Sequence, residues 1–242
     1  MGDPVVHFEI SAADPAQSGK FYSDLFGWKT QEVPEYLIVD TFAGGGINGG
    51  IGKSEEGSTS RFYVAVADPQ EALDRAVRLG AQVLMGVTDV LGAATIAILS
   101  DVAGNQFGLV KEADGPGVSV GGNPPLAWFE VLGPDADALN NFYSELFGWE
   151  LKVSDIPGGG KYAEVETGIG RGIPGGLGSS QDGAPAVRLY AQVDDLAKTL
   201  EQAERLGAKT SVDPMDVGGG TQIALFIDPQ GLTFGLFNNT AS

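Results

Sequence analysis

The sequence predicts an α+β protein of four βαβββ modules, two in each of two copies of one longer unit. Three observations predict it. The phrase FYSDLFGW at 21–28 returns as FYSELFGW at 142–149, with only Asp24 exchanged for Glu145. Further matches follow in the same order: GGIG at 49–52 with GGLG at 175–178, RLGA at 78–81 with 205–208, and SDVAGNQFGLV at 100–110 with IDPQGLTFGLF at 227–237. Inside each copy a weaker repeat restarts the sequence of strand, capped helix and three strands.

The elements follow in order. Residues 5–10, VVHFEI, read as a strand. Asp14-Pro15 supplies an N-cap and a proline at the first helical position. Phe21, Tyr22, Leu25 and Phe26 then make one apolar helix face, and Gly27 is placed to end the helix. Short strands are expected over 29–33, 36–42 and 47–52. The order restarts with a strand at 61–67, a cap at Asp68-Pro69, a helix face of Leu73, Ala76 and Val77, and a stop at Gly80. Strands near 82–87, 94–99 and 106–110 complete the first copy. The offset between copies grows from 121 at the octapeptide to 126 and 127 later, which predicts about five extra residues within 154–161. The Gly- and Pro-rich stretch 113–124 reads as a linker between a first domain, 1–112, and a second, 125–242. The octapeptide itself reads as core: its aromatics pack a helix on a sheet.

Composition narrows the function. The 242 residues carry 14 Lys and Arg against 32 Asp and Glu, a net charge of −18. Phosphate backbones and anionic membranes demand clustered cations, so neither nucleic acid nor a membrane is an expected partner. The same field would draw in a cationic ligand, although solubility alone accounts for it. There is no cysteine, so disulfides, thiolate metal sites and cysteine nucleophiles are excluded. With no apolar run of membrane-spanning length and no basic-then-apolar start, a cytoplasmic monomer or homodimer is expected. The glycine runs are followed by neither a helix nor a lysine, which rules out a phosphate cradle. They read instead as a flexible hairpin or lid.

Paired βαβββ modules, FYxxLFGW closing the first helix, and the DPQG turn at 228–231 resemble the vicinal oxygen chelate superfamily. That group includes glyoxalase I, the bleomycin-resistance proteins and the extradiol dioxygenases; the glycine-rich segments look most like its two-domain actinobacterial glyoxalase-like members. The resemblance spans nearly the whole chain, twice. It implies two glyoxalase-like half-barrel domains, each with a cavity between modules, and in some members a divalent ion held by His, Gln or Glu.

Carried over residue by residue, the implied metal positions are mostly lost. His7, the sole histidine, matches the first-strand ligand, and Trp128 stands there in the second copy. The fifth-strand position is Arg61 or Arg188, permanently cationic and without an acceptor lone pair. The last-strand position is Gly108 or Gly235, and the remaining one falls in the glycine runs. No cofactor is expected, and a divalent metal is disfavoured.

Strand alternation puts Glu9 on the face of His7, Tyr63 on that of Arg61, Glu130 on that of Trp128, and Tyr190 and Gln192 on that of Arg188. His7, Glu9 and Tyr63 are the candidate catalytic residues. Arg61, Trp128, Glu130, Arg188, Tyr190 and Gln192 are the candidate ligand contacts. A Glu–Arg pair fixing module register would explain the same pattern. The favoured reading is a binding protein for a small cationic or aromatic molecule. The alternative is a glyoxalase- or dioxygenase-like enzyme acting through His7, either with metal or by metal-free acid–base chemistry. A purely structural or antigenic role would leave the polar pattern unexplained.

Overall fold

The structure is a computed structural model describing residues 2–90, 92–111, 122–155, 160–167 and 172–239. Most of the expected linker (113–121), part of the expected insertion (156–159) and part of the second glycine run (168–171) lie outside the described residues.

All four modules are present. The first is β1 (Val5–Ala12), α1 (Pro15–Phe26), β2 (Lys29–Val33), β3 (Tyr36–Asp40) and β4 (Asn48–Lys53). The second is β5 (Thr59–Val66), α2 (Pro69–Arg78), β6 (Gln82–Val90), β7 (Ala94–Ser100) and β8 (Gln106–Lys111). The third is β9 (Leu126–Gly133), α3 (Ala136–Phe147), β10 (Glu150–Asp155), β11 (Lys161–Glu166) and β12 (Gly175–Ser179). The fourth is β13 (Ala186–Gln192), α4 (Leu196–Arg205), β14 (Lys209–Gly218), β15 (Thr221–Ile227) and β16 (Thr233–Asn239). Among the described residues no helix is long and apolar enough to cross a membrane.

Each helix begins at an aspartate. Asp14, Asp68, Asp135 and Asp195 have extended backbones, and their carboxylates accept from first-turn N–H groups, satisfying donors that a helix start leaves orphaned. Gly27 and Gly148 end the octapeptide helices with φ of 75° and 66°, a left-handed turn that favours glycine.

The strands form two eight-stranded sheets, ordered β2-β3-β4-β1-β5-β8-β7-β6 and β10-β11-β12-β9-β13-β16-β15-β14. Among the described residues, four helices and two sheets make the α+β class expected. Sheets follow the copies, whereas the compact units do not. One unit comprises Met1–His7, Arg61–Gly117 and Phe129–Val187, joining the second and third modules. The other comprises Phe8–Ser60, Val118–Trp128 and Arg188–Ser242, joining the first and fourth.

Each unit is centred on one octapeptide. In the first, Tyr143 stacks on Trp149 (centroids 5.4 Å, interplanar 9°), and Phe62, Phe107 and Phe129 pack around them. In the second, Tyr22 stacks on Trp28 (5.8 Å, 20°) beside Phe8, Phe26 and Phe234. The tyrosine hydroxyls then reach a buried turn of the other module. Tyr143 donates to Asp101 Oδ2 and Tyr22 to Asp228 Oδ2, both at 3.0 Å. Burial, reinforced by the adjacent carboxylate, raises both phenol pKa values well above the ordinary value. The repeated phrase is therefore an aromatic plug with a polar tip, received by the repeated Asp turn.

Candidate functional site

The face of each sheet opposite the helices is built by alternation. On β5, Phe62, Val64 and Val66 turn to the core. Tyr63 and Ala65 turn the other way and form a separate apolar cluster with Val110, against which Val6, Ala94 and Ile96 pack while staying partly open. His7 joins this wall edge-on to Tyr63, with ring centroids 5.5 Å apart and planes at 75°. Arg61 is half-buried on the same strand, with its Nε shielded from solvent.

Tyr63 owes its place to a glycine. It faces Gly108 across the parallel β5–β8 ladder, and a Cβ on Gly108 would lie 2.1 Å from a ring carbon of Tyr63. Glycine alone admits that ring. The fourth module repeats the device: Tyr190, 2% exposed, faces Gly235, where a Cβ would lie 2.0 Å from its ring. Trp128 and Arg188 are half-buried in that unit, while Gln192 is exposed at the end of β13.

A second tyrosine–glycine pair escaped the sequence reading. A Cβ on Gly176 would lie 2.0 Å from the Tyr162 hydroxyl, and that hydroxyl donates to Glu130 Oε1 at 2.9 Å. In the first module a Cβ on Gly50 would lie 1.8 Å from the Tyr36 hydroxyl, and one on Gly52 would lie 3.7 Å from Glu9 Oε1. The signal was there to find, because Tyr36 and Tyr162 share the 126 offset of the glycine runs. This also corrects the reading of those runs over 48–52 and 175–178. The first is the strand expected at 47–52, β4, and the second is β12; neither is a lid, and their missing side chains make room for Tyr36, Tyr162, Phe8 and Phe129.

The candidate residues divide between the units. His7, Arg61, Tyr63 and Glu130 belong to the first; Glu9, Trp128, Arg188, Tyr190 and Gln192 belong to the second. Direct contact is established between His7 and Tyr63. Burial lowers the His7 pKa from 6.5 to about 4, so its imidazole is neutral at pH 7 and offers one donor and one acceptor. A base of that strength has little drive to take a proton at neutral pH.

A divalent ion of the kind the resemblance implies does not fit these residues. The tyrosine ring fills the space where a last-strand carboxylate would reach, and Arg61 stands at another ligand position. Among the described residues no three His, Asp or Glu side chains gather into a metal-holding group.

A family model for the glyoxalase-like domain matches residues 7–110 and 129–237. The chain belongs to that family. Its two matched segments coincide with the two sheets. Among relatives of this glyoxalase-like protein, CFP32 of Mycobacterium tuberculosis, which carries a provisional glyoxylase name, is 26% identical over 238 residues, covering 93% of this chain and 91% of that one. The anthracycline biosynthesis protein DnrV of Streptomyces peucetius is 33% identical over 127 residues, covering 46% of each chain. A Mn(II)-bound glyoxalase from Novosphingobium aromaticivorans superposes with a TM-score of 0.71 at 14% identity, covering 98% of this chain and 82% of that one. A variant of homoprotocatechuate 2,3-dioxygenase from B. fuscum reaches 0.73 at 16% identity, covering 98% and 72%. At such identities the solved structures establish the fold alone; the family match is what bears out the glyoxalase-like resemblance.

Proposed function

We propose that this glyoxalase-like protein binds a small, flat, hydroxylated aromatic molecule on the open face formed by His7, Tyr63 and their apolar neighbours. One observation carries the reading: a neutral histidine, edge-on to a tyrosine, stands in a partly open apolar wall inside one compact unit. Such a wall with few polar groups suits an aromatic ligand whose hydroxyl meets the imidazole. Two relatives named for anthracycline biosynthesis support a polycyclic aromatic class. The net charge of −18 favours an added amine over an added carboxylate. The protein acts in the cytoplasm as a monomer or homodimer, without metal.

The test is calorimetric titration with 1,8-dihydroxyanthraquinone, using the wild type, His7→Ala and Tyr63→Phe. Saturable binding that His7→Ala weakens at least tenfold is expected. Absence of heat, or equal affinity in the histidine variant, overturns the reading. An enzymatic role remains the second reading, favoured by the provisional name of CFP32. Turnover of methylglyoxal with a thiol, lost in His7→Ala, would establish it.

A further inference from the structure

Between the end of α2 and one face of α3 lies a cleft of about 180 Å³, lined by Leu79, Val102, Ala138, Asn141, Phe142 and Glu145. All six residues belong to the first compact unit. Ala138, Asn141, Phe142 and Glu145 are spaced three or four positions apart, so one helical face supplies them. Leu79, Val102, Ala138 and the buried Phe142 form the apolar part, and the exposed Asn141 and Glu145 form the polar edge. The cleft shares no residue with the wall of His7 and Tyr63, which lies on the sheet face opposite the helices.

The repeat explains why the space exists. In the other unit Gln17 stands where Ala138 stands here, and Gln230 where Ala103 stands. There the Gln230 side-chain amide donates to Gln17 Oε1, and Gln202 donates to Asp24 O. Long side chains thus bridge the helix to the turn. Two alanines cannot make that bridge, and the room remains. The charges change with it. Lys20 pairs with Asp24 at 2.7 Å, one helical turn apart. Their counterparts are Asn141 and Glu145. Among the described residues Glu145 has no ion-pair partner, and neither has Arg75, one turn before Leu79 on α2.

We infer that this cleft is a ligand site for a small primary amine carrying one aromatic ring. The ring lies against Leu79, Val102 and Phe142, and the ammonium group meets the Glu145 carboxylate. Size sets the one-ring limit. An apolar cavity of about 150 Å³ suffices for benzene, whereas drug-sized molecules fill about 300 Å³ or more. Charge sets the sign. A carboxylate without a cation, on a chain of net charge −18, attracts a cation and repels an anion. The site is independent of the binding proposed for the His7 face.

The probe is 2-phenylethylamine, with 3-phenylpropionate as its anionic counterpart. Carbon-13 methyl labels on leucine and valine report the cleft, and Leu79→Ile and Val102→Ile identify the two signals that matter. The amine is expected to move both signals saturably at pH 7, and the acid to move neither. Glu145→Gln should weaken amine binding about two- to fivefold, the range of an exposed ion pair, and Glu145→Lys should weaken it further. Ala103→Gln combined with Ala138→Gln rebuilds the side chains of the other unit and should abolish the shifts; if that variant fails to fold, the Glu145 pair decides. His7→Ala should leave amine binding unchanged. No saturable shift in the wild type, equal affinity for 3-phenylpropionate, or unaltered affinity in both Glu145 variants overturns the site. Saturable shifts of these two signals uphold it even where dihydroxyanthraquinone fails to bind through His7.

Discussion

Removing one hydroxyl from each octapeptide tests how the units are held. Asp101 is 3% exposed; its Oδ1 accepts from Ala103 N and Asn105 N, and its Oδ2 accepts from Asn105 Nδ2 and Tyr143. In Tyr143→Phe, Oδ2 keeps one donor. A hydrogen bond to a charged group is worth about 1.5–3 kcal/mol, so a loss of about 1.5–2 kcal/mol is expected. Asp228 is 4% exposed; Gln230 N and Leu232 N serve its Oδ1, but Oδ2 has Tyr22 as its only donor among the described residues. Tyr22→Phe should therefore cost more, about 3 kcal/mol. For a chain of this length each kcal/mol lowers Tm by roughly 2–4 °C, so the drops should be about 3–8 °C and about 6–12 °C. Scanning calorimetry reads both. A double-mutant cycle of Tyr143→Phe with Asp101→Asn should show about 1–2 kcal/mol of coupling. Shifts below about 1 °C in both single variants, or zero coupling, would refute the idea that hydroxyl and aspartate act as one lock.

Further outcomes follow from the same contacts. Because the folded pKa of His7, about 4, lies below its unfolded value of 6.5, the unfolded chain binds the extra proton between those values. Stability should fall by about 3 kcal/mol as pH drops through that window, and urea titrations of His7→Gln should lack this component. Tyr22 and Tyr143 have raised folded pKa values, so their contribution is intact below the unfolded value near 10 and lost as pH climbs past it; Tyr22→Phe should flatten that alkaline slope. Gly108→Ala drives a methyl into the Tyr63 ring and should cost about 1–3 kcal/mol of stability. It should also weaken dihydroxyanthraquinone binding, measured in the same calorimeter.

Much of this was legible in the residues. The strand over 29–33, the aspartate caps and the Gly27 stop lie where expected, because caps and alternation are local signals. The octapeptide was readable as core, but not the turn that receives it. Tyr22 and Asp228 are separated by 206 positions, and nothing within one sequence says which of four similar modules a helix will meet. The glycine runs misled for a related reason: a missing side chain records only that something comes close, and the aromatic ring that does so, Tyr36 or Tyr162, sits on a neighbouring strand. Arg61 and Gly108 could be read in the sequence at positions where the resemblance implies metal ligands, but the ring that lies against Gly108 could not. It is Tyr63, placed by strand register.

The most direct test uses the fact that His7 is the only histidine, so its imidazole resonances need no assignment. They should titrate with a midpoint near pH 4 in the free protein, and at pH 7 they should move when 1,8-dihydroxyanthraquinone is added. A midpoint near the ordinary 6.5, with no movement on adding the compound, would contradict the assignment of this face as a ligand wall with a neutral histidine.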